Sequence, residues 1–138
     1  MSTFSLNSFD DFLAIAQQQV TAERLLLVLA KRELPIGHTP AQARCFAEGE
    51  GGHLAPLAAV DKLPDEFSNF ANFVAESAQV VSEWDAVFVA ALPGFQQQLP
   101  SPEATDEAIE KMLHAIRNGV IGNFLVFDRA GVPLNLTI

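Results

Sequence analysis

The segment Trp84–Gly94, "WDAVFVAALPG", decides the fold class because it predicts a strand in the interior of a sheet. Between Asp85 and Pro93 every residue is apolar, so an extended chain here has no polar face to turn towards water. Proline followed by glycine is typical of the end of such a strand. A strand that is apolar on both faces needs other elements to cover its sheet.

Four other segments predict the helices that supply this cover. Ser8 stands three residues before Asp11, which resembles a capping box at a helix start. Thr39, followed by Pro40 and then Gln42, gives the same signal with a proline in the first turn. The predicted helices cover residues 8–20, 40–48, 63–81 and 101–118, the second being short.

The remaining apolar segments predict strands. Residues 24–32 are rich in helix formers and have no readable period, but their brevity and charged flanks favour a buried strand. Residues 53–62 predict a strand, but Pro56 within it would be poorly tolerated in a central strand of the sheet. Near the C-terminus, Asp128–Gly131 predict a hairpin turn, and Pro133 marks the last strand as an edge.

In chain order these elements predict one α+β domain over residues 1–138. It has a mixed sheet of about five strands, three long helices, one short helix and a C-terminal β-hairpin.

The charge balance disfavours two classes of partner. The chain carries 8 Lys and Arg against 17 Asp and Glu, a formal net charge of −9, which repels nucleic-acid phosphates and anionic membrane surfaces. No apolar run approaches the ~20 residues of a membrane helix. A secretory signal would require a positively charged N-terminal region, and no Lys or Arg precedes Arg24. We therefore predict a cytoplasmic protein that binds neither nucleic acid nor membranes.

Residues 38–53 contain side chains that could be reactive or bind a metal, but their presence has a structural explanation. Glu48, Glu50 and His53 are side chains that a metal ion uses, but a helix end at the neighbouring glycines explains the stretch better. Those glycines precede a strand instead of following one, which excludes a phosphate-binding loop. Cys45, the only cysteine, would be a nucleophile only beside His38 or His53, and a small buried residue is the favoured interpretation. No metal, cofactor or catalytic residue is predicted.

Two charged pairs that follow predicted strands are candidates for a ligand pocket: Asp61 and Lys62, and Asp128 and Arg129. Groups at strand ends often line a crevice, but they also bring a strand out into water. If the four side chains converge, they indicate a small-molecule binder or an enzyme. If they lie on opposite sides of the fold, the pocket does not exist.

Phenylalanine dominates the aromatic residues, with 11 Phe, 1 Trp and no Tyr. Phe67, Phe70 and Phe73 recur at a spacing more typical of a core face, although one helix face is narrow for three rings. Phe95 lies in a Pro- and Gln-rich loop. Rings left outside the core would indicate a lid or a subunit contact, so these four are the candidate interface residues.

Strings along nearly the whole chain, among them "SFDDFL", "RLLLVLA", "GEGG", "VDKLPDE", "WDAVFVAAL" and "FLVFDRAGVPL", resemble a set of small, uncharacterised proteins of proteobacteria. Some of these carry the label ribonucleotide reductase subunit alpha. That reaction needs a radical-bearing cysteine and a redox pair of cysteines, whereas this chain has Cys45 alone. The resemblance therefore implies no reductase activity and no site residues.

The leading hypothesis is a non-enzymatic module that binds a protein partner or itself, as a homodimer. It rests on the phenylalanine face and on an exposed edge strand at residues 133–138, "PLNLTI". The alternative is a small-molecule binder or enzyme with the pocket at the two charged pairs.

Overall fold

The computed structural model describes residues 8–18, 22–33, 37, 39–47, 53–81, 83–95, 98–122 and 124–134. In chain order the elements are α1 (Phe9–Gln17), β1 (Glu23–Glu33), α2 (Pro40–Ala47), β2 (His53–Lys62), a 3-10 turn (Pro64–Glu66), α3 (Phe70–Ser77), β3 (Ala86–Pro93), α4 (Pro102–Arg117) and β4 (Leu125–Asp128). The predicted α+β class is confirmed.

The described strands form one antiparallel sheet of four strands in the order β2-β1-β3-β4. The predicted mixed sheet of about five strands is therefore wrong in strand direction and in number. β2 and β3 do run in the same direction, but β1 lies between them, so every neighbouring pair is antiparallel. Within the described residues, the arm after the hairpin turn adds an isolated bridge between Phe127 and Pro133, which does not amount to a fifth strand.

Alternate residues of β1 face opposite sides of the sheet and build two cores. On one side, Leu25, Leu27 and Leu29 pack with residues of α1 and α3. On the other side, Leu26 and Val28 pack with residues of α4. Helices therefore cover both faces, which is the cover that an all-apolar central strand requires.

Residues 63–81, predicted as one long helix, contain a 3-10 turn followed by the shorter α3. Phe67 has φ −95° and ψ 135°, so the chain becomes extended after the first turn. Asn69 then starts a new helix, because its side-chain oxygen accepts a hydrogen bond from the backbone N–H of Asn72 at 2.8 Å.

The two predicted N-terminal caps are confirmed. The Ser8 hydroxyl accepts a hydrogen bond from the backbone N–H of Asp11 at 3.1 Å, and α1 begins at Phe9. Thr39 and Gln42 form a reciprocal pair at the start of α2. The Thr39 hydroxyl accepts from the Gln42 N–H at 3.1 Å, and the Gln42 side chain accepts from the Thr39 N–H at 2.8 Å.

β2 lies at an edge of the sheet, which agrees with the proline inside it. Pro56 pairs with Ala30, whose carbonyl accepts a hydrogen bond from the Asp85 N–H on the other side of β1 at 2.8 Å. A ladder hydrogen bond from residue 56 to β1 is therefore not required. The register slips between Leu29 and Ala30, which makes Leu57 the extra residue of a bulge and leaves it exposed.

The predicted hairpin turn follows β4. The Gly131 N–H donates to the Asp128 carbonyl at 3.0 Å, and the Asp128 N–H donates to the Val132 carbonyl at 3.0 Å. Gly131 has φ +81°, and a Cβ added there would lie 3.0 Å from the Phe70 ring. This turn therefore depends on glycine both for its backbone conformation and for the space beside the core.

Candidate interaction surface

Three of the four candidate interface phenylalanines are core residues. Phe67, Phe70 and Phe73 are all buried, on the side of the sheet that α1 and α3 cover. Their proposal as contact residues is wrong for the folded protein: Phe67 lies outside α3, which carries Phe70 and Phe73, so one helix face does not have to bury all three rings. Phe9 ties them together, with ring centroids 5.7 Å from Phe67, 4.8 Å from Phe70 and 6.2 Å from Phe73.

Phe95 behaves differently, since 77% of it is exposed. It follows the end of β3, and Leu99, four residues later, is 40% exposed. The backbone of Phe95 pairs with that of Gln98 through two reciprocal N–H···O hydrogen bonds, each 3.0 Å long. We call Phe95, Gln98 and Leu99 the Phe95 turn.

Gly94 fixes the base of the Phe95 turn. Its N–H donates to the carbonyl of Ala22, just before β1, at 2.8 Å. A Cβ on Gly94 would collide with the carbonyl oxygen of Gln98, so only glycine fits there. The polar loop indicates the exposure of Phe95 in the sequence, whereas the roles of Gly94 and Leu99 were not predicted. The only signal for them was the Pro-Gly end of the strand and the leucine after a glutamine run.

Charged residues lie on the segments that neighbour the turn in the chain or in the sheet. The Arg24 guanidinium donates to the carbonyl of Pro100 at 3.4 Å and pairs with the Asp61 carboxylate at 3.3 Å. Glu23 follows the residue that binds Gly94, and burial raises the pKa of its carboxyl above the ordinary value. Glu103, in the first turn of α4, is exposed.

The two charged pairs proposed as one pocket lie at opposite corners of the sheet. Lys62 pairs with Leu25, near the start of β1, at one edge strand. Asp128, at the other edge, pairs with Ala86, which pairs with Ala30 towards the end of β1. The separation is about 16 Å along the strands and about 14 Å across them. A pocket lined by Asp61, Lys62, Asp128 and Arg129 is therefore excluded by the register.

The pair on β2 has structural partners. The Lys62 ammonium lies 2.7 Å from the Glu76 carboxylate on α3 and 5.0 Å from the centroid of the Phe67 ring. Asp61 pairs with Arg24, as described above. Both residues join β2 to its neighbouring elements.

Asp128, the last residue of β4, and Arg129 also have structural partners. The Asp128 carboxylate accepts hydrogen bonds from the N–H groups of Ala130 at 2.8 Å and Val132 at 3.0 Å, which holds the hairpin turn. The Arg129 guanidinium lies 5.2 Å from the centroid of the buried Trp84 ring.

The arm after this turn, residues 132–134, lacks one backbone N–H donor on its outer edge. The Asp128 N–H donates to the Val132 carbonyl, and the Leu134 N–H donates to the Val126 carbonyl at 2.8 Å. Pro133 lies between these two bonded positions, so its backbone nitrogen and carbonyl point away from β4. Its nitrogen carries no hydrogen, and the outer edge lacks an N–H at this residue. Residues 135–138 of the proposed edge strand lie outside the described residues.

The metal and nucleophile alternatives, which the sequence disfavours, involve residues or side chains that the structure does not describe. Glu48, Glu50 and His38 lie outside the described residues, as do the side chains of Cys45 and His53. Among the side chains that are described, no three His, Cys, Asp or Glu residues gather as a metal site would require.

Comparisons with known proteins gave no relatives. No protein-family model, no curated protein and no solved structure matches the chain. Among the described helices, none has the length and apolar character needed to cross a bilayer.

Proposed function

We propose that this chain is a non-enzymatic, cytoplasmic interaction module that docks another protein chain through the Phe95 turn. The observation that carries the proposal is the exposure of Phe95: a large aromatic side chain just after the end of β3, 77% exposed. Aromatic side chains, phenylalanine among them, are enriched in the buried centres of protein interfaces. The likeness to the proteobacterial family fits this proposal but supplies no activity for it.

The backbone around Phe95 supports the proposal. The reciprocal hydrogen bonds to Gln98 and the Gly94–Ala22 bond tie the turn to the end of the sheet. A segment whose backbone is already held in place loses less entropy when a partner binds it. Phe95 is in this respect unlike an exposed ring on a long unbonded loop.

Site-specific photocrosslinking tests the proposal. A benzophenone side chain replaces Phe95 in one variant and Val80 in another, because Val80 is 71% exposed and lies in a different segment, the turn that follows α3. We expect a defined protein adduct from position 95 and none from position 80, after illumination in the cells that make the protein.

The adducted protein is then purified and its affinity measured. Phe95→Ser is expected to weaken binding by about thirtyfold, which is typical of an interface anchor, while Val80→Ser leaves it unchanged. Equal adducts at both positions, or a partner that binds Phe95→Ser as well as the wild type, would contradict the proposal. An adduct between two copies of this chain would keep the docking role and make the protein a homodimer.

A further inference from the structure

The dipeptide Asn118-Gly119 directly follows the last residue of α4. Asn118 is exposed, and it is the one asparagine of the sequence that a glycine follows. Glycine lacks a Cβ, so its backbone nitrogen can approach the side chain of the preceding residue with little steric hindrance. We propose that Asn118 is a site of spontaneous deamidation in the folded protein, and that the last turn of α4 controls its rate. This proposal is independent of the Phe95 turn.

The reaction needs only these two residues and water. The backbone nitrogen of Gly119 loses its proton to the solvent and attacks Cγ of Asn118. An N–Cγ bond forms, the Cγ–Nδ2 bond breaks, and the side-chain nitrogen takes up a proton and leaves as ammonia. Water then hydrolyses the cyclic imide at one of its two carbonyl groups, which produces aspartate or isoaspartate. Because the nucleophile and the amide belong to one chain, the rate depends on how often they reach the reacting geometry.

The native backbone at Asn118 holds the reacting atoms apart. Asn118 has φ −98° and ψ 6°, so its own nitrogen and the nitrogen of Gly119 are almost eclipsed along the Cα–C bond. Its Cβ lies roughly 120° away around that bond, because the Cα is tetrahedral. Ring closure requires the opposite arrangement, with Cβ eclipsing the Gly119 nitrogen. The peptide group must therefore rotate before the ring can form.

Three hydrogen bonds to carbonyl groups of the last turn of α4 resist this rotation. They join the side-chain nitrogen of Asn118 to His114 at 2.7 Å, the Gly119 N–H to Ile116 at 3.2 Å and the Val120 N–H to Ala115 at 2.9 Å. Rotation about the Cα–C bond of Asn118 turns the Gly119 N–H away from its acceptor, and the side-chain amide must leave its own. Deamidation thus proceeds from the fraction of molecules in which this turn is open.

The product opposes closure of the same turn. A carboxylate at position 118 has no N–H for the His114 carbonyl, and it adds a negative charge at the negative end of the helix dipole. Isoaspartate also places one additional backbone atom between α4 and Ile121, which packs against the core beneath α4. Because the ammonia is lost to the solvent, the change is permanent, and molecules with a destabilised helix end accumulate.

Mass spectrometry of the purified full chain, incubated at neutral pH, tests the proposal. Each conversion replaces NH₂ by OH and raises the mass by about one dalton. Peptide mapping should place the change at Asn118 and leave Asn69 and Asn72 intact, since both are exposed but precede phenylalanine. The same chain unfolded in guanidinium chloride should convert about tenfold to a hundredfold faster, because the protecting turn is absent.

Two matched substitutions test whether the last turn of α4 controls the rate. Ala115→Gly weakens the helix at the carbonyl that holds Val120, while Ala104→Gly makes the same change in the first turn. We expect conversion of Asn118 to be about fourfold faster in Ala115→Gly and unchanged in Ala104→Gly. Hydrogen exchange at the Gly119 amide should accelerate by the same factor in Ala115→Gly, because both processes require the open turn.

The effect of the product is measured on the converted protein, which its additional negative charge makes separable by anion exchange. Hydrogen exchange at the Val120 amide should be about twofold to fivefold faster than in the unconverted protein. Exchange at the amide of Thr105, in the first turn of α4, is the internal reference and should not change. Equal exchange at Val120 in the two forms would show that the product does not destabilise the turn.

Three results would overturn the proposed site. The folded chain could convert as fast as the chain in guanidinium chloride, in which case the turn gives no protection. It could convert no faster than its globally unfolded fraction allows, in which case the folded protein is not the reactant. Finally, equal acceleration in Ala115→Gly and Ala104→Gly would show that stability of the whole chain, and not the last turn of α4, controls the reaction.

Discussion

Glu23 is the residue at which burial most directly alters an ionisable group in the described structure. Burial raises the pKa of its carboxyl, because the charged form loses contact with water. A raised pKa in the folded state means that folding favours the protonated form. Ionisation of Glu23 therefore works against folding.

The sign of this effect gives a pH prediction. Below a pH of about 4 the glutamate is protonated in both states and carries no cost. As the pH rises through the ordinary glutamate value towards the raised one, the unfolded chain loses its proton first, so the free energy of unfolding falls. Glu23→Gln should therefore raise the urea midpoint at pH 7, and the difference from the wild type should vanish in acid.

The control for this pH series is Glu110→Gln, an exposed position on α4. Unfolding curves of both variants and the wild type between about pH 3 and about pH 8 check the prediction. A Glu23→Gln variant that is less stable than the wild type at neutral pH would show that the carboxylate makes a net favourable interaction.

At the scale of single elements, the helix starts were predictable because their causes are local. Ser8 and Thr39 bond to residues three positions ahead, so the sequence contains both partners of each cap. The break inside residues 63–81 also has a local cause, the cap at Asn69, but Pro64 and the two acids after it resemble the start of one long helix. The prediction of one helix followed from that start alone.

Strand order was not predictable, because it depends on contacts between distant residues. The apolar segments identified β1 and β3, yet nothing local indicates that β1 lies between β2 and β3. The pocket hypothesis failed for this reason. Asp61 and Asp128 both end strands, but the register places them at opposite corners. By contrast, Phe95 was identified because its exposure follows from a polar loop and needs no knowledge of strand order.

The outer edge of the C-terminal arm gives a prediction about an element. Pro133 points its nitrogen away from β4, and replacement by valine adds an outward N–H and a residue that favours strands. Pro133→Val should therefore self-associate through this edge, with a higher sedimentation coefficient that rises with protein concentration. Hydrogen exchange at the new amide should slow as the oligomer forms.

Pro102→Ala is the matched control, because Pro102 is an exposed proline at the first turn of α4 rather than at a sheet edge. It should sediment like the wild type. If Pro133→Val remains monomeric at every concentration, the missing N–H is not what protects the edge.

At the scale of the whole molecule, the sheet couples the two cores. Leu25, Leu27 and Leu29 of β1 belong to the core beneath α1 and α3, while Leu26 and Val28 belong to the core beneath α4. One strand thus contributes alternate side chains to both cores. Lost packing in one core destabilises β1, and the other core depends on the same strand. Such a molecule is expected to unfold as a unit.

Phe9 provides the sharpest test of this coupling. It is fully buried, and its ring lies within 6.2 Å, between centroids, of those of Phe67, Phe70, Phe73 and Phe127. Phe9→Ala should lower the free energy of unfolding by about 3–5 kcal/mol. Phe95→Ala is the control with the same chemical change at an exposed ring, and it should stay within about 0.5 kcal/mol of the wild type.

Two probes on opposite faces of the sheet then decide whether the loss is shared. Trp84 is the only tryptophan and lies in the core with Phe9, so its fluorescence reports that side. Hydrogen exchange of the α4 amides beside Met112 and Ile116 reports the other side. The shift of the Trp84 fluorescence midpoint gives the loss in free energy of unfolding. If β1 couples the cores, Phe9→Ala accelerates hydrogen exchange in α4 by the factor that corresponds to this loss. If the α4 amides keep their wild-type protection while the Trp84 transition shifts, the two faces unfold independently.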